Sequence, residues 1–243
     1  MKKRLDLILN GKGGVGKSFF AVNFIQYLKD RSIKHVAIDT DNENSTLKRF
    51  HPESVFVDLS QVAGIDRIFV EVSAHPLVVV DCRAASTDIF LRYFNQLSAF
   101  EALKELDASL TLISPVNHDP DSVKQVQILS EQFKENASYV VVKNRLFSDE
   151  FAIYEKSQTH RRILDELGGK EIEMLVLCDW LVVALNQQSS TITAALRGSK
   201  FFIMDRQRLK SWQRDFNGQI ESARELLLPQ RKRSAKEKGA AHG

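Results

Sequence analysis

The chain predicts a three-layer, doubly wound α/β fold with a mostly parallel β-sheet, on three observations. Apolar runs rich in Val, Ile and Leu recur at 5–9, 35–38, 54–59, 77–80, 109–113, 138–142 and 172–177, with helical patterns between most of them. That alternation builds a parallel sheet with helices on both faces. The runs are continuous rather than alternating, as strands covered on both sides require. Finally, the first run passes through a glycine-rich turn into a helical pattern with Phe20, Ala21, Phe24, Ile25 and Leu28 on one face, a strand-turn-helix unit.

That turn is Gly11-Lys12-Gly13-Gly14-Val15-Gly16-Lys17-Ser18, after Leu5-Asp6-Leu7-Ile8-Leu9. It has the Walker A spacing of Gly, four residues, Gly-Lys-Ser, in the context the mechanism needs. Its glycines let the backbone curl so that N–H groups face phosphate oxygens, and the helix adds the positive end of its dipole. Lys17 is expected to reach the β- and γ-phosphates and the Ser18 hydroxyl to ligate Mg²⁺. Gly13, Gly14, Val15, Gly16 and Phe19 complete the expected binding segment. Lys12 is a second lysine that an ordinary phosphate loop does not need. With it the segment resembles the deviant Walker A of the MinD/ParA family, P-loop ATPases in which that lysine reaches across a dimer to the partner's nucleotide. The resemblance implies that Lys12 acts in trans as an arginine finger does elsewhere, a device worth about 10³–10⁵ in rate. A solvated loop lysine is the bland alternative.

The second run, Val36-Ala37-Ile38, ends in Asp39-Thr40-Asp41. Ligands of open α/β sheets gather at the carboxyl ends of strands, so these carboxylates are expected to point toward the phosphate loop. Their position resembles the family's Asp-x-Asp element. It implies that Asp39 belongs to the metal's water shell and that Asp41 orients and deprotonates the attacking water, which is a poor nucleophile until a carboxylate holds it. Two turn-forming aspartates are the alternative. Partition proteins usually continue with Pro and Gln, where this chain has Asn42-Glu43-Asn44. The fourth run, Leu77-Val78-Val79-Val80-Asp81, has the Walker B form and is expected to deliver Asp81 to the Mg²⁺ water shell. The Cys82-Arg83-Ala84-Ala85-Ser86 that follows departs from the Pro-containing switch of the family.

After the fifth run, Asp119-Pro120 offers an N-cap and a first-turn proline, and Val123, Val126, Leu129 and Phe133 form an inward stripe. This helix reads as architecture. The sixth run leads to Lys143-Asn144-Arg145, which resembles the family's strand-ending Asn-Arg element. It implies base contacts from Asn144 and Arg145, the Asn144 amide supplying the donor and acceptor that match adenine N6 and N7; a turn residue is the alternative. Leu177-Cys178-Asp179-Trp180 falls where relatives place a base-contacting loop, but it matches poorly and is not taken as a site.

Residues 197–214 contain Arg197, Lys200, Arg206, Arg208, Lys210 and Arg214 against the single acid Asp205. Such a helix can follow a DNA backbone nonspecifically, or be a solvated face with Phe201, Phe202, Leu209 and Trp212 packed inward. Within it, Ile203-Met204-Asp205-Arg206-Gln207-Arg208-Leu209-Lys210, taken with the phosphate loop and Ile38-Asp39-Thr40-Asp41, resembles the TraL-type conjugal transfer proteins, which implies a role in plasmid transfer or maintenance alongside transfer or partition proteins. Ile220, Ala223, Leu226 and Leu227 have helical periodicity, but Glu221 and Glu225 between them oppose anionic lipid, so membrane binding is not expected.

At 243 residues, 43% hydrophobic and 27% charged, the chain is long enough for one full core. The expected division is a P-loop ATPase domain, 1–228, and a basic, disordered tail, 229–243, too charged to fold alone. The net charge of +3 resides in residues 231–238, with five basic side chains and one acidic, leaving about −1 for the rest. No run of eighteen apolar residues exists and Met1-Lys2-Lys3-Arg4 leads straight into a strand, so a cytoplasmic location is expected. Cys82 and Cys178, the two cysteines, lack metal or disulfide spacing and read as buried thiols. The motifs, with the MinD/ParA resemblance, imply an ATP- and Mg²⁺-dependent switch that dimerises around nucleotide and hydrolyses it slowly, with partner stimulation. Two alternatives stand beside it: a P-loop metabolic synthetase or amidotransferase, for which no substrate constellation is visible, and a nucleotide sensor without hydrolysis, which has no use for Asp41.

Overall fold

A computed structural model describes residues 2–146 and 149–229. Its strands are β1 (Lys3–Ile8), β2 (Val36–Asp39), β3 (Val55–Phe56), β4 (Leu77–Asp81), β5 (Ala108–Val116), β6 (Ser138–Asn144) and β7 (Lys170–Met174). They form a sheet in the order β3-β2-β4-β1-β5-β6-β7, and every neighbouring pair is parallel. The sheet expected to be mostly parallel is therefore parallel throughout the described residues.

Two runs are trimmed. At 54–59 only Val55 and Phe56 are register partners of β2; the Val57 N–H still donates to the Asp39 carbonyl at 3.0 Å, and Val57 and Leu59 are buried in the core. The last run is in register with β6 only as far as Met174; Leu175 and Val176 beyond it are exposed.

The helices are α1 (Lys17–Asp30), α2 (Thr46–Phe50), α3 (Val62–Ala74), α4 (Thr87–Gln96), α5 (Ala99–Glu105), α6 (Pro120–Phe133), α7 (Ala152–Glu155), α8 (Gln158–Arg161), α9 (Asp179–Gln188), α10 (Ile192–Arg197), α11 (Ile203–Ser222) and α12 (Arg224–Leu227). Leu5 and Leu7 of β1, and Leu9 just after it, face a core layer closed by α3 to α6 that includes Phe90, Phe94 and Phe133. Ile8 faces the other layer, where Phe20 and Phe24 of α1 meet Trp212 and Phe216 of α11. The predicted α6 stripe is buried, and the Asp119 side chain caps the helix by accepting from the Asp121 N–H at 2.9 Å. Cys82 is buried as expected, but Cys178 is only half-buried, because it stands at the start of α9 where the chain turns outward.

Arg4 ties the last helix to the sheet by donating to the Glu225 and Leu226 carbonyls. The expected basic stretch 231–238 lies outside the described residues.

The topology fixes where a ligand fits. The connections from β1 and from its neighbour β4 leave over opposite layers, α1 over one and α4 over the other. The carboxyl ends of these two strands therefore bound a crevice, the general binding place of such sheets.

Candidate functional site

The crevice holds the turn between β1 and α1. Gly14 and Gly16 have φ of 76° and 100°, values that residues with a Cβ rarely adopt. A side chain at Gly16 would also meet the Asn144 amide at 2.5 Å. Gly16 stands at the N-cap of α1 without any side-chain cap. The first N–H groups of a helix have no intrahelical acceptor, so this end favours an anion. Buried Asn10 braces the turn from below: its amide donates to the Pro115 and Ser122 carbonyls at 2.9 and 3.0 Å and its oxygen accepts from the Lys12 N–H at 3.0 Å.

The two lysines of the turn are both held by the protein. Lys17 is buried and its Nζ donates to the Lys12 carbonyl at 2.9 Å. Burial lowers its pKa, opposed by Asp81, Cys82 and Asp41. Lys12 pairs with Asp119 at 2.8 Å and Asp121 at 3.3 Å, at the start of α6; its hydrogen bonds to these two carboxylates raise its pKa.

Three carboxylates converge on the same place, and they differ. Asp39 and Asp81 are register partners at the ends of β2 and β4. Both oxygens of Asp39 are used, one accepting from the Asp41 N–H at 3.0 Å and the other from the Lys48 N–H at 2.9 Å. Asp81 is buried and neither of its oxygens has a hydrogen-bond partner. Burial pushes its pKa up to about 7; the nearby Ser18 hydroxyl opposes the shift without making a bond of sound geometry. Asp41 is folded back on its own loop, accepting from the Glu43 and Asn44 N–H groups at 2.9 and 3.3 Å and from the Asn44 amide at 3.3 Å. Burial works to raise its pKa, but these hydrogen bonds and Arg83 outweigh it and hold the carboxyl below its ordinary value.

A cavity of about 390 Å³ opens beside Gly16, walled by Phe19 and Val22 of α1, by Asn144, Leu177, Val182 and Leu185, and by other mainly apolar groups. Asn144 donates to the Val15 carbonyl at 3.0 Å and accepts from the Leu146 N–H at 3.1 Å, so it stands at the cavity wall and pins the turn. Arg145 is not among the lining residues: its guanidinium forks onto Glu173 at 2.8 and 2.7 Å and reaches Asp149.

The structure thus gathers Lys12, Gly13 to Phe19, Asp39, Asp41, Asp81 and Asn144 around one crevice and leaves Arg145 on its flank. Asn10, Thr40 and the Asp119–Asp121 pair also belong to the site. No spacing rule points to them, since each acts through a fold contact; Asp119 was visible only as a helix cap.

The basic segment divides. Arg206 is spent on the Leu196 and Gly198 carbonyls, and Arg208 on Asp205. Lys210 and Arg214, one turn apart on α11, line an open groove with Arg31, Gln213, Asn217 and Glu221, in which Arg31 pairs with Glu221 and Arg214 with Asp215, each at 3.2 Å. Leu209 and Trp212 pack inward as the solvated-face reading has it, Phe201 is half-buried, and Phe202 is exposed.

A divalent ion fits the phosphate end. Among the described residues no cluster of three or more His, Cys, Asp or Glu forms a metal cage. Mg²⁺ does not need one, since it takes one or two carboxylates, waters and substrate phosphates. The unpartnered Asp81 oxygens beside Ser18 suit that ion, and a nearby cation would return Asp81 to its charged form.

The profile of the CobQ/CobB/MinD/ParA nucleotide binding domain matches residues 7–231. Protein MobD of Acidithiobacillus ferrooxidans is 25% identical, with 91% of this chain and 98% of that protein covered. A Protein TraL of Escherichia coli is 27% identical over 90% of this chain and 98% of its own. Among solved structures, the septum site-determining protein MinD of Pyrococcus horikoshii OT3, complexed with Mg-ADP, superposes with a TM-score of 0.51 at 14% identity, covering 91% of this chain and 96% of that one.

Proposed function

The chain belongs to the CobQ/CobB/MinD/ParA nucleotide-binding domain family, and from this premise we propose that it is a nucleotide-driven switch. It binds ATP with Mg²⁺, pairs with a second copy around two nucleotides, and hydrolyses ATP slowly until a partner stimulates it. The observation that carries the reading is Asp81, a buried carboxylate with both oxygens unpartnered, beside Lys17 and Ser18 at the uncapped start of α1.

Each residue has its task. The backbone from Gly13 to Phe19 cradles the phosphates, and Lys17 exchanges the Lys12 carbonyl for phosphate oxygen. Ser18, Asp81 and Asp39 would hold Mg²⁺, which when bound would neutralise phosphate charge. Asp39 would act on the ion less directly than Asp81, because both its oxygens already serve the backbone. Asp41 leaves its loop contacts to hold the attacking water. Lys12 leaves Asp119 and Asp121 to reach the partner copy's nucleotide; within the single chain these two acids keep it parked. The apolar cavity takes the base, with Asn144 at its edge and Arg145 bracing the strand end through Glu173.

The setting is plasmid transfer or partition, supported by the likeness to proteins named TraL and MobD. Its place is the cytoplasm, without a membrane contact; no helix among the described residues is long and apolar enough to cross a bilayer. Nonspecific DNA contact runs through Lys210 on the α11 groove, with Arg31 and Arg214 exchanging Glu221 and Asp215 for phosphate, joined by the other basic side chains of 197–214 and the basic tail. It weakens as salt rises, because each phosphate neutralised releases counterions.

Calorimetric titration with MgATP and MgADP tests the reading. The wild-type chain binds both; Lys17→Ala binds neither, with an unchanged circular dichroism spectrum, because the lysine's charge answers phosphate and makes no core contact. Equal affinity of the two proteins would remove the phosphate-loop assignment.

A further inference from the structure

Two loops flank the glycine-rich turn at the phosphate end of the crevice: 40–45, which carries Asp41, and 82–86, which has no task in the scheme above. The second is mounted on the β1 end and the phosphate loop. The Cys82 N–H donates to the Ile8 carbonyl at 3.2 Å and the Ala85 N–H to the Gly11 carbonyl at 2.9 Å, and a Cβ at Gly13 would lie 3.7 Å from that of Ala84. The first loop hangs from β2, whose last residue, Asp39, is the register partner of Asp81.

Between the two loops stands one hydroxyl. The ladder of β2 and β4 runs one step past the Asp39–Asp81 pair, the Thr40 N–H donating to the Asp81 carbonyl at 3.2 Å. In a regular parallel ladder Thr40 would next accept from the Arg83 N–H through its main-chain carbonyl. The Arg83 N–H donates instead to Thr40 Oγ1 at 2.9 Å, and the same hydroxyl donates to the Asp81 carbonyl at 2.9 Å. The side chain thus takes the place of its own carbonyl, as short hydroxyl side chains can. The main chain is free to turn into the Asp41 loop without leaving the Arg83 N–H unpaired. Thr40 is 1% exposed, so bulk water does not compete for either bond. Among the described residues no other hydrogen bond joins 82–86 to 40–45.

We propose that Thr40 is the positioning residue that couples the two loops. When nucleotide seats on the phosphate loop, any shift of 82–86 reaches the main chain in front of Asp41 through the Thr40 hydroxyl, so that the carboxylate meets the attacking water only in the loaded site. The proposal rests on the ATP reading of the site. Thr40 acts through Asp41 and is not itself a phosphate ligand, because its hydroxyl proton is committed to the Asp81 carbonyl.

The test replaces Thr40 by Val, which keeps the branched shape and removes the hydroxyl, and by Ser, which keeps the hydroxyl. Amide hydrogen exchange is followed by mass spectrometry with and without MgATPγS, beside calorimetric affinities and phosphate release from ATP. Without nucleotide, residues 83–86 of Thr40→Val exchange about tenfold faster than in wild type, the scale of one lost buried hydrogen bond, and Thr40→Ser restores them. With MgATPγS, wild type gains protection in both 82–86 and 41–45, whereas Thr40→Val gains it in 82–86 alone. In Thr40→Val the affinities for MgATPγS and MgADP stay within about threefold while kcat falls about tenfold or more, a loss confined to turnover; Thr40→Ser recovers it. If valine alters the circular dichroism spectrum, Thr40→Ala repeats the comparison without the added methyl. The proposal is overturned if the variant without the hydroxyl still protects 41–45 on binding nucleotide, or if Thr40→Ser behaves as Thr40→Val does. An equal fall in affinity and kcat also overturns it, and would mark Thr40 as a prop for the whole site. A wild-type chain that binds neither nucleotide overturns the ATP reading itself, while exchange at 83–86 without nucleotide still reads the hydroxyl's bond.

Discussion

At the phosphate end of the crevice, Lys12 is held by Asp119 and Asp121, Lys17 by the Lys12 carbonyl, and Asp41 by its own loop. At the other end, beside Gly16, a mainly apolar cavity of about 390 Å³ already stands open between α1 and α9. A ligand at the first end must exchange protein contacts for its own, whereas at the second it only fills space. Exchange gives little net affinity per contact but changes which groups face outward. The phosphate end is thus the part of the molecule suited to switching, and the cavity the part suited to holding. This explains why Lys12 can be exposed for a partner only at the expense of its pairing with α6.

Substitutions can pull the two ends apart. The largest effect is expected for Lys12→Ala: hydrolysis falls by about 10³ or more, as for other finger residues, while ATP binding in a calorimetric titration changes little. A parallel collapse of binding would make Lys12 an ordinary phosphate ligand in cis.

Next comes Asp81→Asn. Burial places the folded-state pKa of Asp81 at about 7, above its ordinary 3.8, so the folded chain holds a proton that the unfolded chain releases between those values. Stability of the nucleotide-free protein therefore declines as pH rises through that window. Asparagine removes the buried charge, so the advantage of Asp81→Asn over wild type in urea should be smallest near pH 4 and grow by about 1–3 kcal/mol up to pH 8. Equal curves at pH 8 would mean that Asp81 has a partner when charged.

The smallest effect belongs to the cavity. Val183 lines its mouth and is 52% exposed, so Val183→Trp can fill the space without disturbing the core. ATP and ADP affinity should fall together, by about fivefold to tenfold. Unchanged affinities would place the base elsewhere.

What could be foreseen in the sequence follows the same division. The phosphate loop, the Asp-x-Asp element and the Walker B strand are local: each lies within eight residues, and spacing with flanking strand or helix patterns suffices to read them. Strand order was legible only as a class, because the continuous runs at 77–80 and 109–113 say that strands are buried, not that β4 and β5 flank β1. The cavity was not legible, since Phe19, Asn144 and the Leu177–Val182 stretch are brought together from three separate segments. Leu177 and Asp179, passed over for poor motif match, line it. The 82–86 loop was visible as a departure from pattern, but the bond from the Arg83 N–H to the Thr40 hydroxyl is a property of packing alone.

The central claim is that nucleotide chemistry controls pairing of two copies of this chain, and sedimentation velocity of Asp41→Ala tests it most directly. With hydrolysis blocked, the variant saturated with MgATP should sediment at twice the mass it has with MgADP, and Lys12→Ala should fail to hydrolyse under the same conditions. An Asp41→Ala chain that titration shows to be saturated with ATP and that still sediments as a monomer would contradict the account.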